Sequence, residues 1–351
     1  LGRISRLDPA TGTRSELFTV PDLVYTGGQD GLLGFALHPE LGRGTGNDYV
    51  YVSLTIAADA RSPQQTGQTV IRRYTWDAAK STLDAPVDLV TGLPHSADHQ
   101  SGRLVFGPDG KLYYTIGDQG ANQLANYCRP NRAQDLPTSE QVAAKDWSAL
   151  EGKILRLDVD GGIPSDNPQL AGVRSYVYAY GFRNAQGLPV ASDGTLYQSE
   201  QGPKTDDEIN RIVAGGNYGW PYVSGFRDDK NYVYASWSKP NGVGCETLTF
   251  CNYEIPDVLT ALPESSLPGE SIEPHQTVYT VEPGYDFKDP TCATGENWNT
   301  CWPTIAASSL TVYESDGIPG WSRSLLVPAL KDGKVFRIAL DAEDTSKEVE
   351  V

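Results

Sequence analysis

The stretch Gly2-Arg-Ile-Ser-Arg-Leu-Asp8 recurs as Gly152-Lys-Ile-Leu-Arg-Leu-Asp158 and, more loosely, as Gly333-Lys-Val-Phe-Arg-Ile338. A second unit, Pro108-Asp-Gly-Lys-Leu-Tyr-Tyr-Thr115, resembles Ala191-Ser-Asp-Gly-Thr-Leu-Tyr-Gln198. Each unit combines a glycine turn with a strand in which apolar and polar side chains alternate. Strand and turn units that recur along a chain are typical of a β-propeller. The repeats therefore predict an all-β fold of the propeller type.

The composition supports this fold class. The 351 residues include 36 glycines and 24 prolines, which interrupt the chain too often for a helical bundle or a coiled coil. Hydrophobic residues make up 39% and aromatic residues 10%, which is enough to build a core. No stretch has the composition of a linker, so we expect residues 1–351 to form one β-propeller catalytic domain.

Few segments depart from this strand pattern. Thr138 can cap a helix over residues 139–150, with Gln141 completing a capping box. The segments 55–67 and 237–275 are polar, contain Gly and Pro, and show no periodicity. They are predicted to be loops.

The net charge limits the classes of partner. The chain has 28 lysines and arginines against 45 aspartates and glutamates, a net charge of −17. Charge of this sign repels phosphate backbones and anionic membranes, so nucleic-acid binding is disfavoured. The longest apolar stretches, such as Leu32–Leu37, are too short to span a bilayer. The excess of carboxylates instead favours bound divalent cations.

The five cysteines indicate whether the protein is located in an oxidising compartment. Cys245 and Cys251 form one close pair and Cys292 and Cys301 another, each in a loop rich in Gly, Pro or Asn. Zinc binding is the alternative, but neither pair has CxxC spacing. We predict two local disulfides with Cys128 unpaired, and therefore a periplasmic or secreted protein.

Two of the four histidines stand close together in the sequence. His99 follows Asp98, and a neighbouring carboxylate raises the basicity of an imidazole that acts as a general base. His95 lies four residues before His99, a spacing that suits a helical metal site, although Pro94 favours a loop here. A structural, hydrogen-bonded histidine is the third interpretation, and the spacing leaves all three open.

Two further segments carry polar side chains at strand ends. Arg183 and Asn184 follow an alternating strand, where an arginine either stabilises negative charge on a ligand oxygen or forms an ordinary ion pair. The Gly202-Pro203 turn precedes Asp206, Asp207 and Glu208. Backbone carbonyls with carboxylates suit calcium, and a solvated acidic turn is the alternative because the spacing is not that of an EF-hand.

Three segments carry a resemblance to a known family. They are SADHQSGRLVFGPDGKLYYTIGDQG from Ser96, YGFRNAQGL from Tyr180 and QSEQGPKTDDEINRIVAGGNYGWP from Gln198, in that order. Together they resemble the soluble quinoprotein glucose dehydrogenases, which are six-bladed propellers that use pyrroloquinoline quinone (PQQ) and calcium. The similarity runs from GRISRLD near the start to LVPALKDGKVFRIALD near the end.

The resemblance implies roles for individual residues. His99 matches the base that takes the proton of the anomeric hydroxyl while hydride leaves for the quinone, and Asp98 matches its acidic neighbour. Gln29 and Trp302 match residues of the sugar site. The implied cofactor contacts are Arg183, Asn184 and Lys331, with Arg183 also stabilising charge on the reduced quinone. The implied calcium ligands are the backbone carbonyls of Gly202 and Pro203 and, at a second site, Glu208, Tyr218, Ser224, Phe226 and Asp228.

The chain also departs from the family pattern. The loop from Cys292 to Cys301 is longer than expected, and Trp298 or Asn299 stands where the family has a substrate-facing tyrosine. The chain contains no methionine, starts at Leu1 and stops at Val351, short of the family at both ends. We therefore expect a processed or incomplete chain that lacks part of the first and last blades.

These observations lead to one expected function and two alternatives. We expect a PQQ- and calcium-dependent enzyme that oxidises the anomeric carbon of an aldose such as glucose to the lactone, with electrons passing to an external acceptor. A homodimer is left open. The alternatives are a calcium-dependent propeller lactonase and a sugar-binding propeller without catalysis.

Overall fold

The computed structural model describes residues 2–58, 67–230, 232–288, 301–331, 333–340 and 349–350. The strands in the first half are β1 (Arg3–Leu7), β2 (Arg14–Thr19), β3 (Leu32–Leu37), β4 (Tyr49–Ala57), β5 (Gly67–Asp77), β6 (Thr82–Leu93), β7 (Ser101–Phe106), β8 (Leu112–Ile116), β9 (Lys153–Leu157), β10 (Gln169–Leu170) and β11 (Val173–Arg174). They are followed by β12 (Val177–Tyr180), β13 (Ala185–Gly187), β14 (Leu196–Glu200), β15 (Asp207–Ile212), β16 (Val233–Ala235), β17 (Ala261–Pro263), β18 (Gln276–Val278), β19 (Thr311–Tyr313), β20 (Ser324–Pro328), β21 (Val335–Ala339) and β22 (Val349–Glu350).

The described strands form four antiparallel sheets of four strands each. Their strand orders are β3-β4-β5-β6, β7-β8-β9-β12, β13-β14-β15-β18 and β19-β20-β21-β22. The pairs β1-β2, β10-β11 and β16-β17 form two-stranded sheets. A four-stranded sheet whose strands run up and down in chain order is the unit of a propeller blade. The all-β prediction is confirmed.

Successive sheets pack through their first strands. The backbone of Gly34 in β3 approaches β7 so closely that a Cβ at Gly34 would lie 2.4 Å from the carbonyl oxygen of Gly102. Strand β7 in turn contacts β13. Arg103 donates to the carbonyl oxygen of Gln186 and to Oγ of Ser309, just before β19. The four-stranded sheets therefore pack side by side through their first strands, while the six-bladed propeller and the single domain stay predictions.

The repeated segments form equivalent strands. The three copies of the first unit become β1, β9 and β21, and the two copies of the second unit become β8 and β14. Their inward side chains form the core: Leu155 of β9 and Tyr114 of β8 pack in one cluster with Tyr51 of β4, and Phe336 of β21 packs with Tyr197 of β14. Burial of these apolar and aromatic side chains stabilises the packing of one sheet on the next.

The predicted capping box is present, but the helix is shorter than expected. Thr138 Oγ1 accepts from the backbone N–H of Gln141, whose side chain accepts from the backbone N–H of Thr138. Helix α1 covers Ser139–Ala144, because Lys145 adopts a left-handed conformation and turns the chain towards the buried Trp147. No helix in the described ranges is long and apolar enough to cross a bilayer.

The loop predictions hold only in part. The predicted loop 55–67 was wrong at its ends, because Thr55 pairs with Thr69 and Ile56 with Gln68 in a long β4-β5 hairpin. Residues 59–66 lie outside the described residues. The segment 237–275 is largely irregular, as predicted, apart from β17 and the 3-10 helices Cys245–Thr247 and Glu264–Ser266.

The cysteine pairing differs from the prediction. Cys245 bonds to Cys128, 117 positions earlier, and Cys251 has no disulfide partner among the described residues. The cause is tertiary packing, since the Tyr127 hydroxyl donates to the carbonyl oxygen of Leu248 and brings the two loops together. The predicted Cys245–Cys251 bridge and the unpaired Cys128 were therefore wrong. Cys292 lies outside the described residues, so its bond to Cys301 stays a prediction.

Candidate functional site

The topology gathers the predicted site residues at one end of the sheets. In an antiparallel meander, the loop before the first strand and the loop after the second strand lie at the same end. The predicted residues occupy these loops: Gln29 precedes β3, Asp98 and His99 precede β7, Arg183 and Asn184 precede β13, Trp302 precedes β19, Gly202 and Pro203 follow β14, and Lys331 follows β20.

A cavity of about 430 Å³ opens at this end and is called here the inner cavity. Seven predicted residues line it: Asp98, His99, Arg183, Gly202, Pro203, Trp302 and Lys331. Gln29 and Asn184 are not lining residues, but each is hydrogen-bonded to one. Gln29 Nε2 donates to Asp98 Oδ1 at 3.2 Å, and Asn184 Nδ2 donates to the side chain of Gln201 at 3.2 Å. The volume suits a small-molecule site.

Two glycines permit the close backbone approaches around the inner cavity. A Cβ on Gly202 would lie 2.0 Å from the carbonyl oxygen of Thr205, so only glycine fits this turn. A Cβ on Gly117 would lie 2.0 Å from the carbonyl oxygen of His99. The end of β8 can therefore pass directly against the histidine loop, which places the residue after Gly117 beside the imidazole.

That residue, Asp118, orients the ring of His99. His99 Nδ1 lies 2.7 Å from Asp118 Oδ1, and the buried carboxylate also accepts from Trp220 Nε1 at 2.8 Å and Asn131 Nδ2 at 3.0 Å. Because the carboxylate is an acceptor, Nδ1 carries the hydrogen and Nε2 keeps its lone pair. Gln123 donates to Nε2 at 3.1 Å from the cavity side. The imidazole is arranged to accept a proton at Nε2.

Arg183, which precedes β13 in the next sheet, is linked to His99 through Gln123. Its Nη2 donates to Gln123 Oε1 at 2.8 Å and its Nη1 to the carbonyl oxygen of Gln201 at 3.0 Å. The guanidinium lies 5.5 Å from the ring centre of Trp220. Its Nε is buried and has no hydrogen-bond acceptor among the described residues. A ligand oxygen would satisfy this donor.

Asp207 joins two loops that border the inner cavity. One carboxylate oxygen accepts from the backbone N–H of Gly202, and the other accepts from those of Ile305 and Ala306, at 2.6 to 2.8 Å. Burial raises the pKa of Asp207 to about 6, although the three N–H groups favour the ionised form. On the same wall Lys331 Nζ donates to the carbonyl oxygen of Trp302.

Behind the acidic turn, Glu208 belongs to a group of buried carboxylates. Its oxygens accept from the backbone N–H of Gly225 at 2.6 Å and from Asn210 Nδ2 at 2.9 Å. Burial, reinforced by the negative charge of Asp206 and Glu264, raises the pKa of Glu208 to about 8. Charged carboxylates in such surroundings need a cation or protons.

The other predicted ligands of the second calcium site surround this group. Ser224 and Asp228 donate their backbone N–H groups to Glu264, each at 3.1 Å. Tyr218 is buried, whereas the side chain of Phe226 is 39% exposed. No three His, Cys, Asp or Glu side chains of the described chain form a metal-binding group. Calcium therefore stays a prediction, carried by backbone oxygens together with Glu208.

His95 has surroundings different from those of His99. Its ring is buried, its Nε2 lies 3.7 Å from Asp30 Oδ2, and neither ring nitrogen has a hydrogen-bond partner among the described residues. It does not line the inner cavity. The described residues supply no third ligand for a metal held by the two histidines.

Three residues of this site were missed in the sequence: Asp118, Gln123 and Glu264. Asp118 has a usable signal, because a carboxylate directly after the buried strand β8 must find partners at the strand end. Gln123 and Glu264 come from irregular segments whose position depends on tertiary packing. Trp298 and Asn299, expected in the sugar site, lie outside the described residues.

The chain is similar in sequence to proteins of one known family. The family model for glucose/sorbosone dehydrogenase matches residues 1–243. Quinoprotein glucose dehydrogenase B of Acinetobacter calcoaceticus is 48% identical over 349 residues, which cover 97% of this chain and 71% of the relative. Aldose sugar dehydrogenase YliI of Escherichia coli (strain K12) is 26% identical over 351 residues, which cover 99% of this chain and 74% of the relative.

Solved structures share the fold. The PQQ-bound aldose sugar dehydrogenase of Streptomyces coelicolor has a TM-score of 0.64 at 25% identity, covering 100% of this chain and 75% of that one. The apo-form of the soluble aldose sugar dehydrogenase of Escherichia coli has a TM-score of 0.64 at 25% identity, covering 99% and 79%. The family match and the 48% identity confirm the resemblance seen in the sequence, and the chain belongs to the glucose/sorbosone dehydrogenase family of oxidoreductases.

Proposed function

We propose that the chain is a PQQ- and calcium-dependent aldose dehydrogenase that oxidises the anomeric carbon of a sugar to the lactone. The observation that carries the proposal is the imidazole of His99, held by Asp118 at Nδ1 so that Nε2 is a hydrogen-bond acceptor at a cavity that Arg183 and Lys331 also line. The names of the relatives, a quinoprotein glucose dehydrogenase and a PQQ-bound aldose sugar dehydrogenase, support the same activity.

The residues around the inner cavity fit PQQ, an anionic and aromatic cofactor. Arg183 and Lys331 bring positive charge to the wall, and the buried Nε of Arg183 has no acceptor among the described residues. The predicted cofactor contact Asn184 is buried outside the lining and would instead orient Gln201, to which its amide donates, whereas Trp302 would add an aromatic face beside the sugar. When bound, PQQ supplies the hydride acceptor that amino-acid side chains cannot provide.

Calcium completes the proposed site. The backbone oxygens of Gly202 and Pro203 would hold one ion at the cavity, and a bound ion there would supply Lewis acidity towards the cofactor. A second ion would lie at Glu208, with the predicted Tyr218, Ser224, Phe226 and Asp228, and would neutralise the buried carboxylates. Hard oxygen donors of this kind are the ligands that calcium prefers.

The protein's own contribution is proton transfer and charge stabilisation. His99 Nε2 takes the proton of the anomeric hydroxyl, and the imidazolium that forms is stabilised by Asp118. Asp98 and Gln29, joined by a hydrogen bond, bind and orient the sugar hydroxyls. Arg183 stabilises negative charge that develops on the acceptor oxygen. Removal of the hydroxyl proton makes hydride departure from the anomeric carbon favourable.

The partners follow from this chemistry. Electrons pass on to an external acceptor, and the disulfide between Cys128 and Cys245 supports a periplasmic or secreted location. Both stay predictions, as does a homodimer.

A reconstitution experiment tests the proposal. The purified chain is incubated with PQQ and calcium, and dye reduction is followed with glucose while the lactone is detected as product. We expect turnover only when cofactor, calcium and sugar are all present. Hydrolysis of an added lactone without dye reduction would favour the lactonase, and sugar binding without turnover would favour the non-catalytic propeller.

A further inference from the structure

A second cavity of about 330 Å³ adjoins the inner cavity, and we call it the aromatic cavity. The two cavities share Gln123, Pro203 and Asn252 as lining residues. Eight aromatic side chains line it: Trp220, Tyr232, Tyr234, Trp237, Phe250, Tyr253, Tyr285 and Phe287. It therefore begins where the inner cavity ends and has a different chemical character.

Part of this aromatic lining is exposed to solvent. Tyr253 is 41% exposed and Tyr285 42%, and Val233 and Ile255 beside them are 40% and 37% exposed. Large apolar side chains that are exposed together in a concave site mark a ligand surface. A pyranose ring offers apolar C–H faces that pack on such aromatic side chains, while its hydroxyls remain in contact with water.

Lys204 gives the aromatic cavity a positive charge. Its Nζ lies 4.6 Å from the ring centre of Phe287, and it makes no ion pair with any described residue. Glu254, the one carboxylate among the lining residues, is 3.0 Å from Lys288 instead.

Asn252 stands where the two cavities meet. It lines both of them, and its side chain has no hydrogen bond to a described residue. Gln123, on the same boundary, donates to His99 Nε2, so this boundary is in direct contact with the proposed base. A sugar unit that reacts at His99 would therefore have its neighbour in the chain directed past Asn252 towards Lys204.

We propose that the aromatic cavity is a second sugar subsite that takes an acidic unit, such as a uronic acid, of an oligosaccharide whose reducing end is oxidised at His99. The carboxylate of this unit pairs with Lys204, and its ring packs on Tyr253 and Tyr285. The inference rests on the proposed function and specifies its substrate class. A neutral sugar would leave the half-buried ammonium unpaired, which is why the acidic unit is favoured.

The test compares two disaccharides that differ only in one carboxylate. Holoenzyme reconstituted with PQQ and calcium is assayed with glucose, with cellobiose and with glucuronosyl-(β1→4)-glucose. We expect wild-type kcat/KM for the acidic disaccharide to exceed that for cellobiose by about tenfold, the effect of one charge-assisted hydrogen bond. This ratio tests the inference without any variant, and a ratio near or below one would overturn it.

Variants identify the residue responsible. Lys204→Met should bring the acidic-to-neutral ratio close to one, and Lys204→Arg should keep most of it. Lys80→Met is the control for the loss of one positive charge, because this exposed lysine pairs with Asp77 between β5 and β6 and lines neither cavity, and it should leave the ratio unchanged. An unchanged ratio in Lys204→Met would contradict the inference. The three sugars together separate the two proposals: a wild-type holoenzyme that oxidises neither glucose nor either disaccharide refutes the proposed function itself.

Discussion

At the scale of single residues, the surroundings of two histidines distinguish a base from a structural side chain. His99 and His95 are both buried, but only His99 has a carboxylate at hydrogen-bond distance on one nitrogen and a cavity at the other. His95 lies 3.7 Å from Asp30 and outside the inner cavity lining. Two histidines only four positions apart in the sequence therefore have chemically different surroundings.

The first prediction concerns this pair. His99→Ala should lower kcat by about 10² to 10⁴, because it removes the proton acceptor. PQQ affinity, measured by titration of the apoenzyme, should change little, since Arg183 and Lys331 remain. His95→Ala is the control and should cost far less. Near-normal turnover of His99→Ala together with loss of activity in His95→Ala would show that the base is misassigned.

At the scale of elements, the start of β15 and the loop at 224–229 form a unit whose buried carboxylates need cations or protons. In the folded, metal-free protein the pKa of Glu208 is about 8, against 4.5 for an ordinary glutamate. The folded state therefore binds more protons than the unfolded state between these pH values. It follows that the free energy of unfolding decreases as pH rises through this window.

This gives a second prediction. In the presence of a strong chelator, the melting temperature should fall as pH rises from about 5 to 8, and added calcium should restore it most strongly at the higher pH. Calorimetry at four pH values with and without calcium measures both effects. Glu208→Gln should flatten the pH dependence and weaken the calcium effect. If the chelator does not change the melting temperature at pH 8, calcium does not bind to this unit.

A third prediction concerns the disulfide that links the loop after β8 to the irregular segment after β16. A peptide map under non-reducing conditions should show Cys128 joined to Cys245, with Cys251 not linked to Cys245. A crosslink that closes a loop of this length removes up to about 5 kcal/mol of chain entropy from the unfolded state. Cys128→Ser should therefore lower the melting temperature clearly, whereas Cys251→Ser should not. A Cys245–Cys251 peptide would contradict the structure.

At the scale of the whole molecule, the net charge of −17 acts on the electron acceptor. An anionic mediator is repelled and a cationic mediator attracted before either reaches the site, and salt screens both effects. We expect the second-order rate constant for ferricyanide to rise with ionic strength and that for a cationic ruthenium ammine to fall. Stopped-flow oxidation of the sugar-reduced holoenzyme measures both. If both rate constants change with ionic strength in the same way, the charges near the site determine the rate, and the net charge of the chain does not.

The sequence predicted the repeated strands from their alternation, and its resemblance to the family predicted seven of the fourteen residues that line the inner cavity. The alternation in β1, β9 and β21 is a local property, and residues at strand ends gather at one edge because antiparallel strands return there. Contacts between distant segments were decided only by the tertiary structure. Cys245 forms its disulfide with Cys128 rather than with Cys251. Asp118 is hydrogen-bonded to His99, and Gln123 is hydrogen-bonded to both His99 and Arg183. The alternation of apolar and polar residues along a strand determines which face of the sheet each side chain occupies. The packing of one sheet on the next determines which distant side chain it contacts.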